Sequence, residues 1–258
     1  MLQAVSYLAP NWFKFYHAVT DALSRSLEID IRLRQSDHDP LNDPWLLNDQ
    51  LDLAFICGLP FIRHHQAHSH QLQVLAAPVM QASRYGDRPI YFSDVVVNAA
   101  SDIHQFLDLA GQQFGYNDPG SNSGYHLVRW HLLNQGDADD FFGAWIATGS
   151  HQRSLQWVID NRIDGAAIDS TVLEQALQEH PEWEALIRVV TTIGPSPMPP
   201  IIAANHLGAA IIDKLRSTLL YPDPELQTAM AIAGVKRYEH LTARDYTVLA
   251  ERYKVVTR

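Results

Sequence analysis

Along the N-terminal part of the chain the hydrophobic pattern switches between period two and period 3.6. The apolar run Ala4–Leu8 (AVSYL) predicts a short strand ending at Pro10. Asn11 then stands at a cap position, and Trp12, Phe15, Tyr16, Val19 and Leu23 fall on one helical face. Ile29–Leu33 (IDIRL) alternates as a second strand. The turn-rich linker SDHDPLNDP leads into a short helix, and Leu51–Ile56 (LDLAFI) predicts a buried strand. The order β-α-β-α-β opens a parallel, doubly wound sheet. Ligands of such sheets gather at the C-terminal strand ends, which here carry Tyr7–Pro10 and Cys57–Phe61.

Val74–Met80 and Ile90–Val97 predict two further strands, joined by the polar turn Gln81–Pro89 and open to antiparallel pairing. Near Val95–Asn98 the pattern restarts. A short helix over Asp102–Leu109 precedes a strand at Gln113–Tyr116, and a second helix opens after Asn117–Gly124 and stops at Gly136. A strand at Ala144–Ala147, a helix from His151, a strand at Asp164–Ile168 and a helix over Val172–Gln178 follow. Leu186–Thr192 reads as a strand leading back, and the Pro-rich Gly194–Pro200 as a crossover edge rather than an element interior. Helices around Ala209–Leu219, Pro224–Ala233 and Ala243–Tyr253 close the chain. The pattern predicts an α/β protein of two lobes. Residues 1–95 and 191–258 form a discontinuous lobe I, 96–190 form an inserted lobe II, and a ligand cleft lies between the lobes.

Composition narrows the classes. A hydrophobic content of 47% with 19% charged residues describes an ordinary globular chain, and 258 residues suffice for a sizeable core. The net charge of −10 speaks against nucleic acid as a partner but not against a small anion, which hydroxyls and helix termini bind without net positive charge. One cysteine, Cys57, excludes an intramolecular disulfide. No apolar run reaches membrane-spanning length, and the first residues, MLQAVSYLAPNW, lack the basic and apolar regions of a signal peptide. The expected location is extracytoplasmic if a leader has been removed and cytoplasmic otherwise.

Candidate chemistry concentrates in the predicted second lobe. Asp118-Pro119-Gly120 is turn chemistry, and Ser121, Asn122, Ser123 and Gly124 are small polar residues at a helix N-terminus, where unsatisfied N–H groups favour an anion. Ala147–Ser154 (ATGSHQRS) runs from a strand through Gly149, Ser150 and His151 into a helix, and Asp164–Ser170 offers Asp169 and Ser170 at a third strand end. Hydroxyls, an imidazole and helix N-termini at one edge suit an oxyanion, with His151 either cationic or donating a neutral N–H. Other constellations are weaker. His64, His65, His68 and His70 lack a completing Cys or acid, and sit in what reads as a polar connection. Asp37, Asp39 and Asp43 lack the Gly and Glu of a calcium loop. A Ser121–His151–Asp169 hydrolase triad lacks the nucleophile elbow. No metal and no cofactor are expected.

In their order, YFSDVVV (Tyr91–Val97), NDPGSNSG (Asn117–Gly124), TGSHQRSL (Thr148–Leu155), the run Asp164–Ser170 and ARDY (Ala243–Tyr246) resemble the phosphonate-binding (PhnD-like) solute-binding proteins of ABC transporters, a group that includes phosphite and phosphate binders. The resemblance implies a two-lobed, type II periplasmic-binding-protein fold. It also implies that Ser121, Asn122 and Ser123 hold the oxyanion and that His151 donates to it; by their positions at the strand and helix ends, Gly124, Ser150, Asp169 and Tyr7 are further ligand-binding candidates. An ABC-transporter permease is then the expected protein partner. Members that bind aminoalkyl phosphonates or phosphite carry first-lobe tyrosines and an acid after the second crossing; this chain has Cys57-Gly58-Leu59 and Pro197–Pro200 there. A small oxyanion, or one with an apolar tail against Tyr7, Trp12, Phe55 and Phe61, fits better than an amine-bearing one. The alternatives are a cytoplasmic enzyme resembling those of the menaquinone (futalosine) route, with His151 or Asp169 as general base, and a ligand-sensing domain.

Overall fold

The computed structural model describes residues 1–36, 39–136 and 140–257. Asp37, one of the candidate calcium-loop residues, lies outside the described residues. Among those described, the strands in chain order are β1 (Leu2–Ser6), β2 (Ile31–Gln35), β3 (Leu53–Phe55), β4 (Leu72–Met80), β5 (Ile90–Asn98), β6 (Gln113–Tyr116), β7 (Ala144–Ala147), β8 (Gly165–Asp169), β9 (Ile187–Pro197), β10 (Ile201–Ala204) and β11 (Val235–Glu239). The α-helices are α1 (Phe13–Leu27), α2 (Pro44–Leu47), α3 (Gly58–Ala67), α4 (Leu127–Gln135), α5 (His151–Ile159), α6 (Ser170–Glu179), α7 (Ala209–Leu220), α8 (Pro224–Ile232) and α9 (Thr247–Val256).

The chain divides into two units. The first comprises Met1–Ile90 and Pro197–Ala250, the second Tyr91–Ser196 and Glu251–Arg258. The sequence reading set the switches near residues 95 and 190 and kept the whole tail in the first lobe. The unit boundaries lie at the start of β5 and the end of β9, and the end of α9 goes with the second unit.

The first unit holds a six-stranded sheet ordered β11-β4-β10-β3-β1-β2. Its parallel half is the expected β-α-β-α-β opening: β1 pairs in parallel with both β2 and β3. The helix expected from Asn11 starts later, because Pro10–Trp12 forms a 3-10 turn and no side chain caps α1. The apolar face read from the sequence is buried, and Tyr16 stacks on Phe55 at 4.4 Å. Three elements of this unit differ from the expectation. Cys57–His70 is no polar connection, since α3 runs through it and buries Leu59, Phe61, Ile62 and His64. Two strands went unread: β10, wholly buried, lies antiparallel between β3 and β4, and β11 pairs antiparallel with the end of β4.

The second unit holds a five-stranded sheet ordered β7-β6-β8-β5-β9. β4 and β5 therefore belong to different sheets and do not form the hairpin that the short turn between them allowed. β5 is antiparallel to β8, while β6 is parallel to β7 and β8. The core beneath α4 contains Val95, Val97, Phe106, Leu109, Phe114, Leu127, Val128, Leu132 and Phe142, with Phe114 and Phe142 stacked at 4.2 Å. Burying side chains of this size is worth about 1.5–3 kcal/mol each, so this face anchors the loops at the opposite ends of β6, β7 and β8. Asp102–Leu109 forms a helical turn only at Phe106–Leu109, because Asp108 folds back onto the His104 and Gln105 amides as a capping box.

Candidate functional site

The site is built where β6 ends. The Asp118 carboxylate accepts from the Gly120 amide at 2.8 Å and its carbonyl from the Ser121 amide at 3.2 Å, which closes the Asp-Pro-Gly turn. Ser121 then caps a helix whose Asn122–His126 turn is π rather than α: the His126 amide donates five residues back, to the Ser121 carbonyl, at 3.1 Å. The Ser121 hydroxyl accepts from the Gly124 amide at 3.1 Å. By helix geometry the Asn122 and Ser123 amides have no acceptor within the turn, so they are donors for an external group. Wide π turns of this kind recur at functional sites. Sequence periodicity did not distinguish it from an ordinary α-helical start.

Each residue of the turn is held from a different strand. The Asn122 amide nitrogen donates to the Tyr91 hydroxyl at 2.7 Å and to the Ser196 hydroxyl at 3.2 Å, one bond for each of its hydrogens. The Ser93 hydroxyl donates to the Ser123 carbonyl at 2.7 Å. His151 Nε2 lies 3.2 Å from the Ser123 hydroxyl oxygen. Gly124 fits because it has no Cβ; one added there would collide with Asn117 Oδ1 and stand 3.2 Å from His151 Cε1. The structure thus brings Ser121, Asn122, Ser123, Gly124 and His151 into direct contact, all of them buried.

His151 opens α5, after Gly149 at φ +91° and the cap residue Ser150, whose hydroxyl accepts from the Arg153 amide at 3.1 Å. That backbone turn is one glycine adopts without strain. Burial pushes the His151 imidazole down to about 4, against a smaller opposing pull from the Ala167 backbone. Of the two forms expected of His151, the cationic one is therefore absent at neutral pH, and the ring acts as a neutral partner of Ser123. The tautomer of the neutral ring sets the direction of that bond: Nε2–H donates to Ser123 and leaves the serine's own proton for an external acceptor, whereas Nδ1–H makes Nε2 the acceptor of that proton.

Asp169 ends β8 and lies opposite Ser93 in the strand register. Its Oδ1 accepts from the Thr171 amide and hydroxyl, each at 2.8 Å, so it caps α6. Burial raises its carboxyl to about 6, with the bonds from Thr171 opposing and buried Asp94 adding to the rise. A Ser121–His151–Asp169 triad is not formed: His151 meets Ser123, and Asp169 is committed to Thr171.

Tyr7 belongs to the first unit, where its hydroxyl donates to buried Asp43 at 2.8 Å beside Arg34. Burial first and Asp43 second hold its ionisation far above the ordinary range. Phe55 and Phe61, expected as ligand walls, are core residues there, at 1% and 0% exposure, with Phe61 edge-on to Tyr246. Asp39 and Asp43 are helix caps, accepting from the Leu41 and Trp45 amides. His64 is bonded to Gln71 at 2.6 Å, and no group of three or more metal-ligating side chains occurs among the described residues. Nor is any described helix long and apolar enough to cross a membrane.

Tyr91, Ser93 and Ser196 were not singled out from sequence as site residues. A signal existed for two of them: Tyr91 and Ser93 are the polar start of one face of a strand that continues as Val95 and Val97. Ser196 sits between two prolines with nothing local to mark it.

Comparison with known proteins agrees with this layout. Residues 6–246 match the family described as ABC transporter, phosphonate, periplasmic substrate-binding protein. Among solved structures, a binding-protein component of an ABC phosphonate transporter from Pseudomonas aeruginosa superimposes with a TM-score of 0.85 at 17% identity, covering 99% of this chain and 86% of that one. A PhnD protein of Prochlorococcus marinus in complex with methylphosphonate gives 0.85 at 16% identity, covering 99% and 98%. An ancestral arginine-binding protein bound to arginine gives 0.62 at 16% identity, covering 90% and 96%. The fold is the two-lobed, type II fold of periplasmic binding proteins.

Proposed function

Because the chain belongs to the family of periplasmic substrate-binding proteins of phosphonate ABC transporters, we propose that it captures a small phosphonate-type oxyanion on the Ser121–Gly124 turn. Membership places it among transport proteins rather than enzymes. One observation carries the choice of site: the turn gathers several donors at one point. The Asn122 and Ser123 amides and the Ser121 hydroxyl (already accepting from Gly124) have hydrogens to give, and the Ser123 hydroxyl joins them in the Nε2–H tautomer of His151. A fully ionised phosphonate is the matching partner, because its oxygens accept and none needs an acceptor in return. A helix N-terminus and charge-assisted bonds favour it further, without help from a net charge of −10.

The same reading supports work outside the cytoplasm, with delivery of the ligand to a permease of the transporter. Ser150 and Asp169 serve it as caps of α5 and α6. Isothermal calorimetry with methylphosphonate, phosphite, phosphate and sulfate tests the proposal. Saturable binding of at least one phosphorus oxyanion is expected, weakened about ten- to a hundredfold in Ser123→Ala, the loss of one charge-assisted bond being worth about 1.5–3 kcal/mol. No heat with any of the four, at protein concentrations that detect micromolar binding, would overturn it.

A further inference from the structure

The donor set described so far has no cation in it, since it consists of backbone amides and hydroxyls beside a neutral His151. A guanidinium nevertheless lies behind it. Arg252, on α9 in the part of the chain that belongs to the second unit, lies over the Trp130 ring at 4.5 Å. Its Nη1 is 3.4 Å from the Ser196 hydroxyl oxygen and 3.4 Å from the Pro195 carbonyl. The side chain is half-buried, and burial works against its charge. Among the described residues the ionisable group that bears on it is Tyr91. Among the described residues no carboxylate is paired with it.

Ser196 and Tyr91 are the two acceptors of the Asn122 amide hydrogens. Arg252 thus stands behind both supports of the oxyanion turn, two hydrogen bonds from Asn122. A half-buried guanidinium stays protonated, and without a carboxylate it leaves an uncompensated positive charge in a poorly solvated place. The Ser196 oxygen already receives Asn122 and Arg252, which polarises its own O–H outward.

Building on the oxyanion reading above, we propose that Arg252 is the counter-charge of the bound anion, acting through Ser196 and Tyr91 without touching the ligand. Its contribution scales with ligand charge. A dianion gains about twice the free energy a monoanion gains, so Arg252 selects the more highly charged of two similarly shaped ligands. It is a positioning and charge-balancing residue rather than a contact residue.

The experiment uses methylphosphonate, a dianion at pH 9, and methylphosphinate, the monoanion in which one oxygen is replaced by hydrogen. Affinities are measured by calorimetry, with displacement for the weaker ligand, in the wild type, Arg252→Met, Arg252→Lys and Trp130→Leu, and ligand-free melting temperatures are recorded. Arg252→Met is expected to weaken methylphosphonate about tenfold and methylphosphinate about threefold. Arg252→Lys should stay within about threefold of the wild type for both, and Trp130→Leu, which removes the ring but keeps the charge, should do likewise. Equal losses for the two ligands in Arg252→Met, or no loss, would overturn the charge role, because a residue that only staples α9 in place cannot discriminate ligand charge. Should Arg252→Met fail to fold, Arg252→Gln carries the same comparison. A wild type that binds neither of these ligands nor phosphite, phosphate or sulfate overturns the oxyanion reading itself. Normal wild-type binding with indifferent Arg252 variants overturns this inference alone.

Discussion

Replacing His151 by Gln in the ligand-free protein is expected to change the shape of its pH–stability curve, not only its height. Burial holds the imidazole at about 4, against an ordinary 6.5. Between those values the unfolded chain binds the proton and the folded chain does not, so this group makes stability rise with pH. A gap of about 2.5 pH units at about 1.36 kcal/mol each is worth roughly 3 kcal/mol. Asp169 has the opposite signature. Its carboxyl is raised to about 6 from 3.8, so the folded chain binds the extra proton in that window and stability falls as pH rises, again by roughly 3 kcal/mol. The two nearly cancel in the wild type between pH 4 and 6. His151→Gln should therefore lose stability as pH climbs from 4 to 6, and Asp169→Asn should gain it up to about pH 6.5. Urea unfolding of the three proteins at half-unit steps from pH 4 to 7, taken as differences from the wild type, isolates these terms from every shared titration. Difference curves that vary by less than about 1 kcal/mol across the window would refute the buried, neutral imidazole beside Ser123.

Three further substitutions separate binding from folding. Ser123→Ala should weaken methylphosphonate at least about tenfold by calorimetry while lowering the melting temperature little, since among the described residues its hydroxyl bonds only His151. Gly124→Ala forces a Cβ onto Asn117 and against His151, so both affinity and stability should fall, the latter by about 1–3 kcal/mol in urea unfolding. Asn122→Asp replaces two donated hydrogens with a negative charge beside the anion; calorimetry should show binding reduced more than about a hundredfold, with Tyr91 and Ser196 losing the donor they share.

What the sequence made legible follows how local each signal is. β6 and β7 lie where the pattern put them, and α5 begins at His151, because each is bounded by its own turn chemistry. β10 escaped notice because Ile201–Ala204 follows a Pro-rich run and its partners, β3 and β4, are more than a hundred residues away. α3 was hidden by Pro60, which a helix tolerates in its first turn, and by polar histidines, of which His64 turned out to be buried. The Ser121–Gly124 cradle and His151 were readable as motif residues. Their supports were not: Tyr91 and Ser196 meet Asn122 across 31 and 74 positions of sequence, and only the β5 and β9 strands of the folded sheet bring them there. The protonation state of His151 was likewise out of reach, since it depends on burial that no local pattern encodes.

The central claim is that the π turn after β6 is where the oxyanion is held. A crystal structure of the complex with methylphosphonate tests it most directly. Phosphonate oxygens within hydrogen-bond distance of the Asn122 and Ser123 amides and of the Ser121 and Ser123 hydroxyls are the expected result. A phosphonate group seated elsewhere, with that turn holding only water, would contradict the account.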